Sequence, residues 1–268
     1  MGGRYKKLNM KASITFESRQ YEVDFSKPID LSFPLNHGSN NPKCFFAPDP
    51  HFEPVRTDAF VGSTQEGSPV NFYNVFFNPH GNGTHTECVG HISQEPHHIG
   101  EALTNFVFVS QLLHISPKVK KNGDSLITRK MLEKHLPKDD KDQRNSDEVK
   151  ALIINTGIHG ENKKSINFSG MNPTYISPKA MKYIRSLGFE HLLVDFPSVD
   201  REEDEGKLSA HKIFWSYPDK TLKKCTITEL IFVPKGIKAG YYLLNMQVPN
   251  FSLDAAPSRP VIYNLNPL

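Results

Sequence analysis

The strongest constraint on the fold is a pair of apolar runs with one amphipathic helix between them. Residues 151–155 and 191–196 are short, almost wholly apolar runs, the pattern of strands buried on both faces. Between them, Ser177-Pro178 supplies a capping residue and a first-turn proline. Gly188 falls where a left-handed residue closes a helix. Met181, Ile184 and Leu187 share one face of that helix, a core stripe rather than a cofactor contact. Strand, helix and strand at this spacing make a βαβ unit, whose two strands must run parallel. The fold class is therefore α/β, a mixed sheet with flanking helices in one domain spanning residues 10–268.

The remaining elements are read around that unit. Residues 12–16 and 20–25 alternate as two short strands, and 106–113 reads as a buried strand. Residues 70–77 form a strong strand candidate, after a Pro-, Gly- and Asn-rich stretch over 36–68 that reads as an ordered loop. The pattern predicts a helix over 126–136, capped by Asp124 or Ser125 and ended by Pro137. The mixed-charge run 138–150 reads as a solvated loop, and 209–215 as a short helix carrying His211. Residues 224–233 read as a strand with Cys225, Ile227, Glu229, Ile231 and Val233 on one face; 241–248 is the last clear strand, and the tail after Asp254 is expected to pack. Residues 1–9, polar and basic, are expected to be a disordered tail or a cloning remnant, with Met10 the natural start.

Chemistry concentrates at His80-Gly81-Asn82-Gly83-Thr84-His85-Thr86-Glu87-Cys88-Val89-Gly90-His91, where three histidines and a carboxylate fall among three glycines. In an extended segment, His85, Glu87 and His91 have the same parity and face one pocket. Imidazole and carboxylate together suit zinc, manganese or iron(II), against the blander reading of a glycine-rich turn that happens to hold histidines. Glu229 stands in the middle of an apolar face, and an unpaired buried carboxylate is costly, so it needs a cation, a metal or an unusual proton. Cys88 reads as a small buried residue rather than a nucleophile, and His97 and His98 as turn residues.

Composition removes several classes. A net charge of +3 with no basic stripe argues against nucleic acid, and no apolar run reaches membrane-spanning length. Three widely spaced cysteines give no disulfide framework and point to a cytoplasmic protein. No G-x-S-x-G elbow is present for a serine hydrolase.

Several ordered matches then link the chain to a known family. Gly83-Thr84-His85 and His91 fit the motif H-x-G-T-H-x-D-x-P-x-H, and Asp30-Leu31-Ser32-Phe33-Pro34-Leu35 is similar to its opening D-L-S-H-P-L. Ile153 to Gly157, Asp195-Phe196-Pro197-Ser198-Val199-Asp200, Ala210-His211, Glu229 and the segment from Leu253 to Pro260 match in order. The sequence resembles the cyclase-like metal-dependent hydrolases, the group of bacterial kynurenine formamidase and isatin hydrolase. The resemblance implies a cyclase-like fold of the swivelling β/α/β type and a divalent metal, zinc or manganese. It implies His85, Glu87, His211 and Glu229, with His80, as metal ligands, and His91 as the proton-transfer residue. The implied reaction is hydrolysis of an amide-like C–N bond in a small molecule, an N-formyl anilide or cyclic amide, by metal-activated water. Arylformamidase-like chemistry in tryptophan catabolism and a homodimeric or homotetrameric assembly belong to the same expectation.

Three departures bear on that expectation. Glu87 replaces the family's aspartate, Val89 replaces its proline, and Gly81 stands at its first histidine. His80 lies one residue early; a bulge at Gly81-Asn82-Gly83 would return it to the pocket. Without it, the alternative is a catalytically impaired member that binds metal or a small ligand.

Overall fold

The computed structural model describes residues 10–136 and 148–268. The expectations for residues 1–9 and for most of the charged run 138–150 lie outside the described residues. A nine-stranded mixed sheet organises the chain. Its strands, in chain order, are β1 (Ile29–Asp30), β2 (His85–Glu87), β3 (Val107–His114), β4 (Val149–Asn155), β5 (His191–Val194), β6 (Thr226–Glu229), β7 (Gly240–Asn245), β8 (Ala255–Pro257) and β9 (Val261–Asn264). The spatial order is β8-β2-β6-β5-β4-β3-β7-β9-β1. The centre, β6-β5-β4-β3, is parallel, and every outer pairing is antiparallel.

The parallel centre is buried on both faces, and successive side chains feed two separate cores. From β4, Leu152 and Ile154 join Leu192 and Val194 of β5 under the helices α1 (Arg129–His135), α2 (Pro178–Ser186) and α3 (Ser209–Trp215). Ala151 and Ile153 point the other way, with Leu193, Phe108, Leu112 and Leu244. The expected βαβ unit is present: α2 crosses between β4 and β5, with the Ser177 hydroxyl accepting from the Ala180 amide and Gly188 at φ +83°. The C-terminal tail packs as β8 and β9, both within the sheet.

Three expectations are corrected. The helix over 126–136 starts late: Ser125–Ile127 is a strand whose Leu126 and Ile127 pair in parallel with Tyr175 and Ile176, and Thr128 caps α1. Long-range pairing outweighs the local helical pattern there. The strand over 70–77 is reduced to Tyr73–Phe76, paired with His51–Pro54. All four of its residues are exposed, so it stands off the core rather than within it. The strand over 224–233 ends at Glu229, because Leu230 adopts φ +53°. That left-handed residue turns the chain, so Ile227 enters one core and Ile231 the other rather than sharing a face with it. Among the described residues no helix is long and apolar enough to cross a membrane.

Candidate metal centre

The site sits where the antiparallel strand β2 joins the parallel centre. Glu229 of β6 is the register partner of His85 of β2, and Ile227 is that of Glu87. His85 and Glu87, two apart on one strand, project to the same face. Both are fully buried. His211 comes from α3, and Asp254 from the residue preceding β8, which runs along the other edge of β2.

His80 reaches this centre through a turn rather than a bulge. The Gly81 and Asn82 amides both donate to the Asn78 carbonyl, and Gly83 follows at φ +88°. His80 Nδ1 then lies 3.1 Å from Glu87 Oε2, and Nε2 lies 2.7 Å from Asp254 Oδ2. Gly81 has a steric reason to be glycine: a Cβ there would lie 2.2 Å from Ala47 Cβ. A histidine at position 81 does not fit this turn, and the residue before it occupies the pocket.

The two oxygens of Glu87 face different partners. Oε2 faces His80 Nδ1, and Oε1 lies 3.1 Å from His211 Nε2. His211 Nε2 is also 3.8 Å from Glu229 Oε1, and His85 Nε2 is 3.5 Å from Glu229 Oε2. Glu229 Oε1 accepts the Val199 amide at 2.8 Å. His91 ends a turn of 3-10 helix, Val89–His91, rather than continuing the strand, yet it still reaches the site. Its ring stacks on His80 with centroids 4.2 Å apart, and its Nε2 is 3.8 Å from Glu87 Oε2. It stays part-exposed at the mouth, while His211 is closed off.

Two polar atoms at the floor have no hydrogen-bond partner: His85 Nε2 and Glu87 Oε2, both in fully buried residues. Leaving the buried His85 nitrogen unsatisfied costs on the order of 1–3 kcal/mol, and Glu87 Oε2 has only its ion-pair contact with His80 and the more distant His91. A divalent cation between them satisfies both, and imidazole with carboxylate is a donor set that such ions accept. The side chains of His80, His85 and Glu87 each offer one ligand atom within 4.8 Å of the other two. So do Glu87, His91 and His211, and His80, His91 and Asp254.

The protonation of the cluster follows from its packing. Burial would lower the His211 pKa, but hydrogen bonds to Asp200 and Glu87 outweigh it and raise it to about 10. Burial acts the same way on His80, where Asp254 and Glu87 raise the value to about 10. Burial pushes the Glu87 carboxyl up, and His91, His211 and His80 overcome this to hold it well below the usual range. Hydrogen bonds from His80 and His91 hold Asp254 low as well. The carboxylates around His80 and His211 thus favour the charged form of both rings.

All six residues picked out by sequence, His80, His85, Glu87, His91, His211 and Glu229, come together here. Two carboxylates were missed. Asp200 orients His211, accepting from Nδ1 at 2.8 Å and from the Ala210 and His211 amides. Asp254 ties His80 to His91. Both lie inside segments that match the family in sequence, but their roles arise from contacts across more than ten and more than 160 positions. His97 and His98 remain outside the cluster, and Cys88 is buried, its thiol pushed up to about 11 by burial.

Solved structures share this fold. A predicted metal-dependent hydrolase from Bacillus stearothermophilus superposes with a TM-score of 0.60 at 16% identity, covering 88% of this chain and 98% of the other. Isatin hydrolase A from Labrenzia aggregata gives a TM-score of 0.63 at 14% identity, over 88% and 93%. Isatin hydrolase A from Ralstonia solanacearum gives 0.61 at 13%, over 88% and 91%. No curated protein sequence matches the chain. The family model named Cyclase ("Putative cyclase") matches residues 29–201, a span running from β1 through the His80–His91 segment to Asp200. With that match covering more than half of the chain and most of the residues gathered at the site, the protein belongs to the cyclase family.

Proposed function

We propose that this protein is a metal-dependent hydrolase that cleaves an amide-like C–N bond in a small molecule, with zinc or manganese as its ion. The observation that carries the reading is the convergence of buried His85 and Glu87, whose Nε2 and Oε2 make no hydrogen bond, with His80, His211 and Glu229, which line the adjoining pocket. The solved relatives named as a metal-dependent hydrolase and as isatin hydrolases support the reaction class. His80, His85, Glu87, His211 and Glu229 are the proposed ligands. The two oxygens of Glu87 face different donors, and Glu87, His91 and His211 form a second possible ligand group. When bound, the ion supplies Lewis acidity toward a carbonyl and toward water.

The side chains supply the rest. Asp200 fixes the ring of His211, so that Nε2 points into the site. Glu229 is held by the Val199 amide in the same way. His91, part-exposed and within reach of Glu87, is the proposed proton-transfer group to the leaving nitrogen. The placement of His80 at the centre favours a working site over the impaired-member alternative. The finer proposal is arylformamidase-like: an N-formyl anilide or a cyclic aryl amide as substrate, in a reducing, cytoplasmic setting consistent with three free cysteines.

Steady-state assays with formanilide and isatin on zinc- or manganese-loaded protein test the reaction. Turnover that disappears in Glu87→Gln is expected; no turnover of any formyl anilide or cyclic amide overturns the reading. We also propose a homodimer or homotetramer. Phe72, Tyr73, Val75 and Phe76 are exposed together on the Tyr73–Phe76 strand and its lead-in. Light scattering should give a multiple of the 30.3 kDa chain, and a monomer would contradict it.

A further inference from the structure

The cavity above the metal centre, about 240 Å³, is lined by groups of that centre and also by charged groups unrelated to metal binding. Phe45 and Leu208 form its apolar wall, and Arg201, Glu202 and Asp204 line the same opening. The one cation among these three is already neutralised. Arg201 Nε pairs with Asp124 Oδ1 at 3.0 Å, and its guanidinium also donates to the Glu203 carbonyl. The two carboxylates are not. Glu202 accepts the Gly170 and Asn172 amides at 2.7 and 3.0 Å, and Asp204 accepts the Leu208 amide at 2.6 Å. Amide donors satisfy hydrogen bonding but leave the formal charge in place, and among the described residues neither carboxylate has an ion-pair partner. His80, His211 and Glu229 of the cavity lining contact Glu87 and His85 of the metal centre, which marks the end of the cavity where a ligand's polar group would sit.

We propose that the site selects small amides that carry a positive charge on the end opposite the scissile carbonyl, and discriminates against those that carry a carboxylate there. This rests on the metal-hydrolase reading and names the substrate class of that site. A ligand whose carbonyl lies on the floor extends its far end between Phe45 and Leu208 toward Glu202 and Asp204. An ammonium there meets two uncompensated negative charges; a carboxylate meets the same two as like charges. Each unit of ligand charge is worth about tenfold in affinity, as expected for charges several ångströms apart at a partly screened mouth. The effect also shrinks with salt, since such groups lie within reach of mobile ions.

The test is isothermal titration of zinc-loaded protein with three probes: benzohydroxamic acid, its 4-aminomethyl derivative and its 4-carboxy derivative. The hydroxamate end binds the ion in all three, so turnover is not needed. The expected order is cationic tighter than neutral tighter than anionic, in steps of about tenfold that contract several-fold in 0.5 M NaCl. In Glu202→Gln/Asp204→Asn the spread collapses, with circular dichroism to check the fold; the salt series on wild type tests the idea independently of that variant. Equal affinities, or tighter binding of the 4-carboxy probe, overturn the charge selection while leaving the hydrolase reading intact. Failure of all three probes to bind overturns the metal site itself, and this proposal with it.

Discussion

Metal uptake should expel protons, and the structure gives the number. His80 and His211 are each raised to about 10 by the carboxylates around them. At pH 7 a group with that value is protonated about a thousand times more often than not, whereas a metal-ligating imidazole must be neutral. Saturating metal-free protein with zinc should therefore release about two protons per chain near pH 7. The assay is titration calorimetry in PIPES, HEPES and Tris, whose ionisation enthalpies differ; the slope of observed heat against ionisation enthalpy is the proton count. Apparent affinity should rise by about two log units per pH unit below the raised values. The sign for stability is opposite. Both values lie above the unfolded value of 6.5, so the metal-free cluster stabilises the fold fully below about pH 6.5 and loses that contribution as pH rises toward 10. His80→Gln and His211→Gln should each remove about one proton from the count. Release near zero in wild type would show that the histidines are neutral before the metal arrives, and the account of the cluster as a proton-filled cation site would fail.

Other outcomes follow from single contacts. Gly81→His, which restores the family's histidine in sequence, should lower metal content rather than raise it, because its Cβ would meet Ala47; Gly81→Ala should already cost about 1–3 kcal/mol in a urea unfolding curve. Asp254→Asn should weaken zinc binding by roughly 10–100-fold, as measured by competition with a chromogenic chelator, if Asp254 orients His80 and His91. His191, far from the site, is lowered to about 4 chiefly by burial, with its Nδ1 on the Thr226 hydroxyl. Its folded value lies below the unfolded 6.5, so its contribution is present above pH 6.5 and lost as pH falls toward 4. That is roughly 2 kcal/mol between pH 7 and 5, and His191→Gln should flatten that part of the pH dependence of unfolding.

Much of this was legible in the residues, and the limits have physical causes. The βαβ unit could be read because local signals agreed with the tertiary outcome: Ser177 caps, Gly188 terminates, and residues 151–155 are buried on both faces. The start of α1 could not be read, since the pairing of Leu126 with Tyr175 is set by a residue 49 positions away. The strand over 70–77 misled because apolar alternation normally means burial, and here it lies on a ribbon exposed on both faces. In the site, parity along one strand linked His85 to Glu87, and an isolated carboxylate in an apolar run singled out Glu229. Asp200 and Asp254 carried no such local mark. Their importance lies in which histidine each one touches, and that requires the fold.

The most direct test of the central claim is the metal content of protein purified without added metal or chelator, for wild type, His85→Ala and His80→Ala together. The account predicts near-stoichiometric zinc or manganese in wild type, loss in His85→Ala and reduction in His80→Ala, with all three still folded. Wild-type protein that holds no divalent metal, even after reconstitution, would contradict it.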